Sequence, residues 1–162
     1  MSFTQITNGP TIEGYLAFLR EGVGIGPEYL PDDSLWVQAT FDMARATVND
    51  ALIWADCGRS VYTMAVYNYG ADRLLNLAND AAGQCFFRDL RSSLGLHSFS
   101  AGLVVSSSDQ GTSQTLEIIA AAKSMTLTDL QMMKTPYGRA YLDYAQNYGG
   151  NIWGLTTGRR AF

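Results

Sequence analysis

The chain has 162 residues, 47% of them hydrophobic and only 16% charged, against a charged share of roughly 25% in an average globular domain. That length holds one hydrophobic core without help from metals or disulfides. A net charge of -4, with the eleven Lys and Arg residues scattered except for Arg159-Arg160, excludes a basic face that wraps or tracks nucleic acid.

Such a wall could still line a DNA passage, because a surface that repels phosphates lets a polyanion slide past. The sparse charge also leaves neutral surface for contact with other subunits. Met1 to Pro10 has neither a basic start nor an apolar stretch, so no signal peptide is expected there. No apolar run approaches the ~18 residues needed to cross a bilayer, and a soluble protein made in a cytoplasm is expected. The two cysteines, Cys57 and Cys85, lack metal-site spacing and are expected to be reduced thiols with at least one buried.

In chain order, Thr11 can cap a first helix from Ile12 to about Glu21, with Ile12, Tyr15, Leu16 and Leu19 at helical spacing. Gly22, Gly24 and Gly26 stop it. This glycine run is no phosphate loop, since it follows a helix and precedes Pro27, whereas phosphate binding needs a strand before and a helix after. Pro31-Asp32-Asp33-Ser34 opens a second helix over about Ser34 to Val48. Its apolar stripe Val37, Phe41, Ala44, Val48 has a neighbour in Trp36, Ala39, Met43, Ala46, which predicts burial on more than one side.

A third helix is expected from Ser60 to Asn79, with Met64, Tyr67, Ala71, Leu74, Leu75 and Ala78 inward. Tyr62, Tyr69 and Arg73 fall on its opposite side. Asn68, Asp72 and Asn76 form a row at four-residue spacing, which reads as a flank bonded to a neighbouring element or to water rather than as a site. A shorter helix follows from about Gln84 to Leu94, with Phe86, Phe87 and Leu90 inward and Gly95 as its C-terminal cap.

From His97 to Ile119 the period changes. Phe99, Leu103, Val104 and Val105 lead into a polar tip and a returning segment, which predicts a long β-hairpin-like arm over 98–118 with its turn near Asp109 to Gly111. Ser107, Asp109 and Gly111 belong to its tip region. A ribbon this long is marginal alone and would pair with a neighbouring subunit. Thr126 or Thr128 then starts a short helix with Leu127, Leu130, Met132 and Met133, and Thr135-Pro136 starts another that runs to about Tyr148. Tyr137, Tyr141, Tyr144 and Tyr148 repeat there at spacings of four, three and four, with Arg139 between them. This stripe reads either as the core-facing side of the helix or as an interface. Gly149-Gly150 ends the helix, and no internal repeat is evident.

The chemistry of an enzyme is thin. A single histidine, His97, rules out a His-rich metal site and leaves one imidazole for any Ser or Cys nucleophile. Nothing pairs two carboxylates in a marked cleft, and Ser106-Ser107-Ser108 lacks the Gly-x-Ser-x-Gly frame. No catalytic residue, metal or cofactor is expected.

Three stretches carry a resemblance: Tyr62-Thr63-Met64-Ala65-Val66-Tyr67-Asn68, Gly102-Leu103-Val104-Val105-Ser106-Ser107-Ser108, and Thr135-Pro136-Tyr137-Gly138-Arg139-Ala140-Tyr141-Leu142. Their order, a helical bundle, a Ser-rich extended segment and a Tyr-rich helix, resembles the head-tail connector (head-completion, neck) proteins of tailed bacteriophages over about Asp33 to Leu155. The resemblance implies a mainly α fold of five or six helices, with a connector domain over 1–150 and an extended C-terminal tail over 151–162. It implies a homo-oligomeric, typically dodecameric, ring in the virion neck. The ring would bind portal and a tail or gatekeeper protein, with double-stranded DNA passing through its lumen and no membrane contact. Such a ring retains the packaged genome and docks the tail. Portal docking would fall to Trp153, Leu155, Arg159, Arg160 and Phe162, a set suited to interfaces because aromatic and Arg residues dominate their energies. Met1 to Leu30 extends beyond the family's usual length. The same composition would also fit a tail-terminator or capsid-decorating protein, or a small helical binding module.

Overall fold

A computed structural model describes residues 9–50, 52, 60–97, 103–107, 114–117 and 126–149. The fold is mainly α. Among the described residues six α-helices follow in order as α1 (Ile12–Ala17), α2 (Leu35–Thr47), α3 (Ser60–Leu77), α4 (Phe86–Ser93), α5 (Leu127–Met132) and α6 (Pro136–Gly149). Two short strands, β1 (Leu103–Ser107) and β2 (Gln114–Glu117), lie between α4 and α5 in the chain.

The helix starts are dictated by local chemistry. Thr11 Oγ1 accepts from the Gly14 N–H and Ser34 Oγ from the Trp36 N–H, each satisfying a donor that the first turn leaves free. Thr126 and Asp129 form a reciprocal capping box on α5. Both carboxylate oxygens of Asp80 accept backbone N–H groups at the start of α4, from Phe87 and Arg88.

The first helix departs from expectation. Instead of continuing as α-helix to Glu21, it changes at Phe18 to a π-helix over Phe18–Val23, which closes on Gly24 at φ 81°. Wider turns of this kind need i→i+5 bonds that apolar spacing does not announce. Arg20 then fixes the following loop: its guanidinium donates to the Ile25 and Leu30 carbonyls and pairs with Asp32.

Helix α3 is the axis of the bundle, packed by α2 on one side and α6 on another, with α4 across its C-terminal end. Its supposedly outward residues Tyr62 and Tyr69 are buried along with Val66, Tyr67, Leu74 and Leu75. The expectation of one inward face on α3 is therefore corrected, because neighbours cover the helix nearly all round. The second correction concerns α2. Val37, Phe41, Ala44 and Val48 are buried as expected, but Ala39, Met43 and Ala46 are exposed and Trp36 is half-buried, since among the described residues α1 and α3 are the main elements against this helix. In α5, Met132 alone is buried, and Leu127 stands 73% exposed.

The centre of the core is aromatic. Tyr15 stacks on Phe41 with ring centroids 5.6 Å apart and packs against Tyr67, and Phe18 also meets Tyr67. The phenols of Tyr15 and Tyr67 keep partners, Tyr15 with Thr40 and Tyr67 with the backbone of Thr11. Burial holds the Tyr15 phenol far above its usual range, so it stays neutral.

The strands pair antiparallel, Leu103 with Glu117, Val104 with Leu116, Ser106 with Thr115 and Ser107 with Gln114, and Val105 is the extra residue where the register shifts. The expected turn at Asp109 to Gly111, Phe99, Cys57 and the whole segment Asn151 to Phe162 lie outside the described residues.

Candidate functional site

The row Asn68, Asp72, Asn76 on α3 is the most polar feature of the interior. Four-residue spacing places the three side chains on one flank, and that flank faces α5 and α6. Gln131 of α5 donates to Asn76 Oδ1 at 3.2 Å, while Asn68 and Asn76 each return a side-chain N–H to a carbonyl one turn back on α3.

Asp72 is the anchor of the row, with its side chain 0% exposed. Thr135 donates its hydroxyl to Asp72 Oδ1 at 2.6 Å and accepts the Gly138 N–H on the same oxygen at 2.8 Å. One side chain thus caps α6 and ties it to α3. The carboxylate sits at the positive end of the α6 dipole, where negative charge is favoured. Arg73 Nη2 approaches Asp72 Oδ2 to 3.0 Å, but off the line of a hydrogen bond, so the contact is charge against charge. The same guanidinium lies over the Tyr69 ring at 5.1 Å.

Burial pushes the Asp72 carboxyl above the usual aspartate range, and the Thr135 hydroxyl and Arg73 pull in the opposite direction. Gly138 is required by space. A Cβ there would run into the backbone carbonyl of Met132 and stand 2.8 Å from Asp72 Oδ1. Thr135, Pro136 and Gly138 therefore have structural work as cap, first helical residue and point of close approach.

The tyrosine stripe lies half-buried along the bundle. Tyr137 meets Phe18 edge-on, Tyr141 meets Tyr69 edge-on at 5.0 Å, and Tyr144 lies against Tyr148. All four pack on the core, which is the core-facing reading of the stripe, yet each keeps part of its surface in solvent. Burial raises the phenols of Tyr137 and Tyr144. Arg139 is exposed and donates to the Met133 carbonyl across the α5–α6 turn.

Of the residues expected to form an arm, Leu103, Val104, Val105 and Ser107 lie on β1, while Phe99, Asp109 and Gly111 are outside the described residues. The same holds for Trp153, Leu155, Arg159, Arg160 and Phe162. His97 is exposed and Cys85 is a half-buried free thiol. Among the described residues no group of three His, Cys, Asp or Glu side chains could hold a metal, and no helix is long and apolar enough to cross a membrane.

A groove that sequence reading did not anticipate lies beside α4. Tyr29 stacks on Phe86 with centroids 4.2 Å apart and planes 10° from parallel, and Cys85, Asp89, Leu90 and Ser93 complete the lining. Tyr29 and Phe86 are 57 positions apart, and no local pattern joins them. The fold and its interior seam define a class: a mainly helical bundle whose last helix is stapled to the central one through buried polar groups. No protein-family model, curated protein or solved structure matches this chain.

Proposed function

We propose that this chain is a structural subunit of the neck of a tailed phage, forming a ring between portal and tail that completes the head, retains DNA and docks the tail. The observation that carries the reading is the order of parts. A helical bundle is followed by two paired extended segments and then by a Thr-Pro-capped helix bearing Tyr137, Tyr141, Tyr144 and Tyr148. The C-terminal segment that comes next includes the apolar residues Trp153, Leu155 and Phe162 and the cationic pair Arg159-Arg160. The half-exposed tyrosines support it further, since large rings with a polar tip suit subunit contacts that form late in assembly. In this reading the segment around β1 and β2 reaches an adjacent subunit, and the C-terminal segment reaches the portal. The low charge of the chain leaves DNA unbound in the lumen.

Deleting residues 151–162 tests the assignment of the tail. The truncated chain should keep its cooperative thermal transition, because the segment lies beyond the periodic core, and should lose co-purification with the portal of its own genome. A truncated chain that no longer unfolds cooperatively, or that binds portal as well as the full chain does, contradicts the assignment.

A further inference from the structure

The outer side of α2 carries an apolar row that the core does not use. Leu35, Ala39 and Met43 follow at four-residue spacing, which lines them up on one face of the helix, opposite the buried Val37, Phe41 and Ala44. Leu35 is 78% and Met43 39% exposed, and Ala39 between them is exposed as well. A single apolar side chain in water needs no explanation, whereas a contiguous row marks a contact surface. No charged side chain stands in the row.

The form of the row selects its occupant. A face that binds its own copy across a two-fold axis has to complement itself. This one does so about Ala39, because Leu35 and Met43 stand about one turn before and one turn after it. When two such helices cross antiparallel at Ala39, Leu35 of each copy lies on Met43 of the other, and two methyl groups meet at the centre, where space is tightest. Rows at four-residue spacing on both helices interlock in this way, with axes crossing at about -50°. The flanking charges permit the contact. Asp42 is held by Gln38, and Arg45 lies over its own Phe41 ring at 5.8 Å. In the crossed pair the two Asp42 side chains sit at levels about six residues apart, roughly 9 Å along the helix. That exceeds the ~8 Å screening distance of physiological salt.

We infer that the Leu35, Ala39, Met43 row docks on the same row of a second copy of this chain, antiparallel and across a two-fold axis. A contact between two single helices covers less than the ~1,200 Å² of a stable complex, so the pairing is weak. It does not rest on the neck reading, and either can fail alone. Cyclic rings are built from head-to-tail contacts, so in a neck subunit this contact belongs to the free protein and is released on assembly.

A disulfide at the crossing point tests the pairing. In a Cys57→Ser, Cys85→Ser background, Ala39→Cys brings the thiols of two copies within the ~7 Å between Cα atoms that a disulfide bridges. Gln38→Cys, at the adjacent exposed position, turns its thiol about 100° away. Under a mild oxidant, Ala39→Cys is expected to form a linked dimer about tenfold faster than Gln38→Cys, because docking raises the local thiol concentration. Adding Leu35→Glu, which sets a carboxylate against the apolar Met43 of the other copy, should slow that linking by about tenfold, and Met43→Glu should act alike. All these substitutions fall on exposed side chains, and an unchanged thermal transition checks that the fold is kept. Equal rates for Ala39→Cys and Gln38→Cys would reduce linking to random collision and overturn the proposal. A rate unaffected by Leu35→Glu and Met43→Glu would overturn it too, as would the absence of any linked product, which would leave the row to a different partner.

Discussion

Thr135→Val should lower the stability of the bundle by about 3 kcal/mol. The substitution keeps the branched shape and exchanges the hydroxyl for a methyl, so only the two hydrogen bonds through Oγ1 are lost. Losing an N-cap costs about 1 kcal/mol, and leaving a buried acceptor unsatisfied costs about 1–3 kcal/mol more. For a domain of this length each kcal/mol moves the melting temperature by about 2–4 °C, so a drop of roughly 6–12 °C is expected by calorimetry. The loss should shrink when Asp72 is also changed to Asn, because two groups in one network couple. A change within about 1 °C would show that Thr135 is not the tie between α3 and α6.

The same pair sets a pH dependence with a definite sign. The folded-state value of Asp72 is raised, burial being the main cause. Between the ordinary aspartate value of about 4 and that higher value, the folded chain holds more protons than the unfolded one. Stability from this group is therefore complete below about pH 4 and is lost as pH rises through the folded value. Asp72→Asn should remove that loss, and its advantage over the parent should grow with pH across the window and then level off.

Gly138→Ala should be the second large effect, and its direction is opposite to the usual helix rule. Replacing a helical glycine by alanine ordinarily gains up to about 1 kcal/mol. Here the added methyl meets the Met132 carbonyl, a backbone atom that moves only if the α5–α6 turn moves, and crowds Asp72 Oδ1. Overpacking of this kind costs about 1–3 kcal/mol, and disturbing the Asp72 contacts adds to it. Chemical denaturation should show a net loss of about 2 kcal/mol, with Gln131 pulled from Asn76 as the turn shifts. A variant as stable as the parent would mean that α5 and α6 can separate freely at Gly138.

The starts and ends of helices were legible because capping is local chemistry. Thr11, Ser34, Thr126 and Thr135-Pro136 all sit where a side-chain oxygen or a fixed φ serves the first turn. Gly24 and Gly95 sit where a left-handed residue ends one. What covers a helix was not legible. The stripe Ala39, Met43, Ala46 on α2 has the spacing of a buried face and faces solvent, whereas Tyr62 and Tyr69 on α3 have the spacing of an outer face and are buried. In both helices the deciding factor is the number of neighbours, which the chain's own period does not encode.

The polar seam was half legible. Asn68, Asp72 and Asn76 stood out by their spacing, and Thr135-Pro136 by its capping chemistry, but nothing in the sequence joins positions 72 and 135. The Tyr29–Phe86 groove was not legible at all, because two aromatic residues in separate segments carry no mark of their stacking.

The neck reading meets its most direct test in electron microscopy of this chain expressed with the portal protein of its own genome. A discrete ring of this chain is expected beneath the portal, with the β1–β2 segment at subunit boundaries and the C-terminal segment on the portal side. Particles in which the chain stays monomeric and leaves the portal bare would contradict it.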